Sequence, residues 1–151
     1  MAPVSSRSRA ALSVLFLVFA GRAKAADEIR PALVDGVREF AATGLPGSVA
    51  VYGPGAEAIV VGTAGGGAKV AVVAGARAGR GRVVAFGHDG YFRPDVLGKA
   101  DTGRLLVNAV RWAGTGNRGK TTTKAPAATR VGVVREAGLL EYLRKSGVAA
   151  L

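Results

Sequence analysis

Gly79-Arg80-Gly81-Arg82-Val83-Val84-Ala85-Phe86-Gly87-His88-Asp89-Gly90-Tyr91-Phe92 decides the fold, because it joins a strand to a polar turn carrying the chain's only histidine. Val83 to Phe86 is a short apolar run between glycines, the pattern of a strand buried on both faces. His88-Asp89-Gly90 then leaves the sheet at one end of that strand, the place where α/β proteins put chemistry. His88, Asp89 and Tyr91 are therefore the candidate ligand contacts, and His88 is the one candidate catalytic residue. A structural reading stands beside this one: His88 and Asp89 hydrogen-bond the turn while Gly90 supplies a positive φ.

The sequence supplies no partners for a catalytic histidine. There is no cysteine, no G-x-S-x-G elbow and no H-E-x-x-H, so neither a nucleophile nor a zinc site is legible and no metal or cofactor is expected.

Upstream of the turn, Ser48 to Tyr52, Ala56 to Val61 and Lys69 to Ala74 are apolar runs separated by glycine-rich turns. With Arg82 to Phe86 they predict four hairpin-like neighbouring strands. Ile29, Leu33, Val37 and Phe40 recur at helical spacing and predict a helix over Asp27 to Thr43. Downstream, Asp101 or Thr102 caps a helix running to about Ala113, with Leu106 and Val110 on one face and Arg104, Asn108 and Arg111 on the other. Residues 114–129 have linker composition. Arg130 to Val134 then reads as a strand and Gly138 to Ser146 as a helix.

The fold class is α/β: a small central sheet of about four strands flanked by helices, followed by the start of a second βα unit. Such a unit cannot bury both faces of its strand, so residues 130–151 are expected to await partners beyond Leu151.

The first 25 residues read as a signal peptide. Arg7 and Arg9 precede an apolar run from Ala10 to Ala20, and Ala23-Lys24-Ala25 fits a small-x-small cleavage site. The run is too short to span a bilayer, which takes roughly 20 residues, so no transmembrane span is expected after cleavage. The expected organisation is a signal peptide over 1–25, an α/β module over 26–113, a linker over 114–129 and a truncated second unit over 130–151. The expected location is periplasmic or secreted.

The net charge is +11; four of the 21 basic residues and none of the 10 acids precede Ala26, which leaves +7 after cleavage. Those charges are scattered and little interleaved with aromatics, so nucleic acid is not expected as a partner.

Gly114-Thr115-Gly116-Asn117-Arg118-Gly119-Lys120-Thr121 satisfies G-x-x-x-x-G-K-[ST], with Gly114, Gly119, Lys120 and Thr121 in the phosphate-binding positions. Such a loop needs a strand before it and a helix after it, and the sequence offers a helix before it and a Pro-containing stretch after it.

The run Gly81 to Phe92, followed by Leu105-Leu106-Val107-Asn108-Ala109-Val110-Arg111-Trp112, resembles the N-terminal region of the TRP-channel-associated-factor family and its bacterial mucin-directed zinc peptidase relatives. Gly44-Leu45-Pro46-Gly47 and Arg130-Val131-Gly132-Val133-Val134 extend the resemblance over most of residues 28–151. It implies a class I glutamine-amidotransferase-like, flavodoxin-like architecture with His88 where a triad histidine stands. A peptidase domain and its zinc would lie beyond Leu151.

The function expected is a non-catalytic binding or structural module of an exported multidomain protein. Its partners would be downstream domains, a glycan or a cell-surface molecule. The alternatives are an amidotransferase-like hydrolase using His88, and a nucleotide-binding protein using residues 114–121.

Overall fold

A computed structural model describes residues 29–42, 47–79, 81–114 and 130–151. The expected signal peptide and most of the expected linker lie outside them. Three of the apolar runs form strands: Ala56–Thr63 (β1), Lys69–Ala78 (β2) and Gly81–Phe86 (β3), paired antiparallel in the order β1-β2-β3.

The expected fourth strand, Ser48 to Tyr52, is not one. It runs extended and gives one backbone bond to the sheet, from Val49 N–H to Ala71 O at 2.8 Å. The reason is geometric, since β2 is already flanked by β1 and β3, and only the short stretch of its edge past Phe86 is left to pair. There Gly87 N–H reaches Val72 O at 2.9 Å, and the backbones of Gly47 and Gly87 touch. A Cβ on Gly47 would lie 1.9 Å from Gly87 O, so only glycine fits.

The expectation that Val83 to Phe86 is buried on both faces is also corrected: Val83 is 53% exposed. Side chains alternate across a strand, so Val73, Val84 and Phe86 face the helices while Ala74, Val83 and Ala85 face the other way.

Two helices cover the first face. Ile29–Leu33 (α1) is shorter than the expected Asp27 to Thr43 helix, at least over the described residues. A helix of five residues is marginal alone, but Ile29 and Leu33 are 1% and 0% exposed, and burying each contributes about 1.5–3 kcal/mol. Beyond it Gly36 turns at φ +65°, and Phe40 bridges to Ala100. The Asp101 carboxylate accepts from Arg38 N–H at 2.8 Å and Glu39 N–H at 3.2 Å, and Thr102 Oγ1 accepts from Ala41 N–H at 3.0 Å. These long-range bonds take the backbone groups that a continued helix would have used.

The β1 edge is held by Arg30. Its Nε pairs with Glu57 at 2.9 Å while its guanidinium donates to Ala58 O and Ile59 O, where the register shifts at a bulge.

Pro94–Leu97 (α2) leads into Thr102–Gly114 (α3), the helix expected from the sequence. α3 is apolar on two sides. Leu105, Ala109 and Trp112 join Ile29, Leu33 and Val73 against the sheet. Leu106 and Val107 join Leu97, Leu143, Val148 and Ala150 on the other side. Arg82 ties the end of α3 to β3, donating to Trp112 O at 2.8 Å with its guanidinium 5.0 Å from the indole centroid.

The C-terminal stretch builds its own parallel pair. Arg130–Val131 (β4) and Ala149–Ala150 (β5) flank Ala137–Lys145 (α4). The strand expected over Arg130 to Val134 is thus two residues long, with one bond beyond it from Val133 N–H to Leu151 O at 3.0 Å. The sequence reading left this piece without a ladder, because β5 is too short and too rich in alanine to show a strand pattern. In place of waiting exposed, α4 packs on α2 and α3, and Leu143 is 1% exposed.

Candidate functional site

The polar turn after β3 is a capped turn of 3₁₀ helix over Asp89–Phe92. His88 Nδ1 accepts from Gly90 N–H at 2.8 Å, and Asp89 Oδ1 lies 3.1 Å from the same nitrogen. One ring nitrogen cannot accept from Gly90 and donate to Asp89 together, so the capping bond places the imidazole proton on Nε2. Gly90 is not at positive φ, which corrects that part of the structural reading.

Tyr91 does not line the surface. It is 0% exposed and meets Phe40 edge-on at 5.0 Å, and its hydroxyl is buried with no hydrogen-bond partner among the described residues. Burial pushes its phenol above the ordinary value. Of the three candidate contacts, His88 and Asp89 reach solvent and Tyr91 is core. Among the described residues no hydroxyl or carboxylate other than Asp89 contacts the His88 side chain.

Gly119, Lys120 and Thr121 lie outside the described residues. Gly114 closes α3, so a helix rather than a strand leads into the phosphate-loop match.

Two surfaces emerge that the sequence reading did not single out. The first is a cleft of about 340 Å³ between α3 and α4, lined by Arg104, Val107, Asn108, Arg111, Tyr142 and Ser146, with Asp35 on its rim. Asn108 Nδ2 donates to Leu33 O at 3.1 Å and Asp35 O at 2.9 Å, which ties the end of α1 to α3. Gly36 matters here, since a Cβ at its φ of +65° would strike the Arg104 guanidinium. The helical recurrence of Arg104, Asn108 and Arg111 on the face opposite Leu106 and Val110 was the available signal, and by itself it names no site. Only the docking of α4 turns that face into a wall.

The second is a shallow apolar groove of about 190 Å³ on the sheet face away from the helices, between residues 49–52 and the Ala74, Ala76, Val83 and Ala85 side. Tyr52 and Val83 stand 83% and 53% exposed beside it.

With this geometry in hand, the sequence matches the family model TCAF_N, described as "TRPM8, N-terminal domain", over residues 12–146. The chain belongs to the TCAF_N family. Three relatives, each named TRPM8 channel-associated factor 1, come from Bos taurus, Pongo abelii and Homo sapiens. Each is 41% identical over 68 residues, covering 45% of this chain and 7% of the relative. No solved structure matches the chain.

The TCAF_N match corrects the reading of an exported, periplasmic, peptidase-associated protein. The relatives are named as channel-associated factors, and the family match takes in residues 12–25, so most of the stretch read as a signal peptide falls within the family's domain. Among the described residues no helix is long and apolar enough to cross a membrane.

Proposed function

We propose that this chain is a non-catalytic partner-binding module of a TCAF-family protein, and that its partner is a protein held on the open sheet face. The observation that carries this reading is the exposed apolar surface of Val51, Tyr52 and Val83 beside the alanine-lined groove. A tyrosine standing out of an apolar patch is the kind of anchor that protein interfaces use. Two further facts support it. Nδ1 of His88 is spent on capping its own turn, and the relatives carry a channel-associated name. A groove of valine and alanine with few polar atoms suits a protein side chain better than the hydroxyls of a glycan. Downstream domains of a longer protein would meet the same face in cis.

Purified TRPM8 channel in detergent, immobilised for biolayer interferometry, is the probe. The wild-type chain and His88→Ala should bind alike, and Tyr52→Asp combined with Val83→Asp should weaken binding by about tenfold or more. Absence of wild-type binding overturns the channel as partner. Equal binding by the double variant overturns the sheet face as the surface.

A further inference from the structure

We propose that the cleft between α3 and α4 is a recognition site for an acidic peptide segment of the protein partner, gripped by Arg104 and Arg111. This rests on the partner-binding reading above and concerns a different surface.

The first ground is that these two guanidiniums are uncommitted. Arg30 is paired with Glu57, Arg82 holds Trp112 O, Arg93 pairs with Asp95 and Arg144 donates to Ala150 O. Arg104 and Arg111 form no ion pair or hydrogen bond among the described residues. The field of Arg104 reaches Asp101, but that carboxylate already accepts from Arg38 and Glu39 N–H. Asp35 is the one carboxylate among the residues lining the cleft, against two arginines.

The second ground is shape. Seven residues of helix separate the arginines by about 10 Å along the axis. That is close to the spacing of about 9 Å between two carboxylates three residues apart on a polyproline II segment, where every third side chain shares a face. Val107, buried between them, gives the cleft an apolar floor for the peptide's stem, and Tyr142 on α4 with Ser146 at its C-cap form the facing wall. Arginine forks bind carboxylates through two parallel hydrogen bonds, which makes the contact directional. Arg104 is also held in place, since its stem and guanidinium pack against Gly36. The net charge of +11 on the whole chain favours encounter with an acidic segment.

The test uses the full chain and a fluorescent glycine-serine peptide with two glutamates three residues apart. Its controls are the same peptide with glutamines, inorganic phosphate as competitor, and vesicles of phosphatidylserine in phosphatidylcholine. The acidic peptide should bind and the glutamine peptide should not. Arg104→Ala and Arg111→Ala should each weaken binding about tenfold, with a steep further loss between about 0.05 M and 0.5 M salt. Arg104→Gln, which keeps part of the stem against Gly36, should lose binding equally if Arg104→Ala disturbs the fold by circular dichroism.

Equal affinity for the two peptides, or unchanged affinity in all three arginine variants, overturns the proposal. Vesicle binding without peptide binding also overturns it, assigning the cleft to a membrane surface. In the channel assay, loss with the Tyr52 and Val83 double variant but not with the arginine variants discards the cleft and leaves the sheet-face reading standing. The converse result discards the sheet face and keeps the cleft.

Discussion

The His88 turn and the α3–α4 cleft present opposite uses of polar side chains. In the turn, the residues that look chemical are spent internally: His88 caps a 3₁₀ turn and Tyr91 is packed against Phe40. In the cleft, Arg104 and Arg111, which look like ordinary surface charges, form no ion pair or hydrogen bond among the described residues at the seam of two helices. A residue's type announces what it could do. Its hydrogen bonds decide whether it is free to do it.

The largest effect that would break this contrast comes from ending the chain after Gly114, which removes α4 and one wall of the cleft. It also strips Leu143, Val148 and Ala150 from the second cluster and uncovers Leu97, Leu106 and Val107. At about 1.5–3 kcal/mol per large buried side chain, the loss exceeds about 5 kcal/mol, the scale of a small domain's whole stability. Near-UV circular dichroism should show lost tertiary packing. An unchanged melting temperature would instead establish residues 130–151 as a separate unit, as the sequence division at 114–129 proposes.

Tyr91 sharpens the other side of the comparison. Tyr91→Ala should cost about 3–5 kcal/mol by denaturant unfolding, as for other large aromatic deletions in a core. Tyr91→Phe removes a buried hydroxyl that has no partner among the described residues, and should be neutral or stabilising by about 1 kcal/mol. A clear loss in the phenylalanine variant would mean that the hydroxyl serves something beyond packing.

His88→Ala removes one capping bond, and about 1 kcal/mol is expected on the same measurement, with peptide and channel binding unchanged. A binding defect without a stability defect would return the turn to functional status.

The smallest effect is at Asp101, which holds residues 38 and 39 beside the start of α3. Those two backbone bonds, from Arg38 first and then Glu39, hold its carboxyl below the ordinary value. A folded value lower than the unfolded one means that its stabilisation is present above the unfolded value and is lost as pH falls through the folded one. Asp101→Asn should therefore lower stability modestly near neutrality, and the difference from wild type should close as pH falls through the ordinary carboxylate range, which flattens the acid limb. A parallel acid limb in wild type and variant would remove Asp101 from the account.

Much of the architecture was legible because it rests on local pattern. The valine-rich runs of β1, β2 and β3 and the helix over Thr102–Gly114 are periodic enough to read directly. What failed did so where tertiary contacts outweigh pattern. Ser48 to Tyr52 has strand composition but finds too little free edge, and the helix after Leu33 gives way to backbone bonds with Asp101 and Thr102. β5, two residues of alanine, carries too little signal to be seen before its partner β4 is in place.

The sequence by itself determined a mixed helix-and-strand fold, the strong positive charge, the want of a cysteine nucleophile and the likeness to the channel-associated-factor family that the TCAF_N match confirms. These follow from composition and short-range periodicity, which any unfolded copy of the chain already possesses. Only the tertiary structure decided that His88 is a cap, that Tyr91 is core and that two arginines of α3 face a cleft. Each of those depends on residues far apart in sequence being brought within hydrogen-bonding or packing distance, and no local pattern records such meetings.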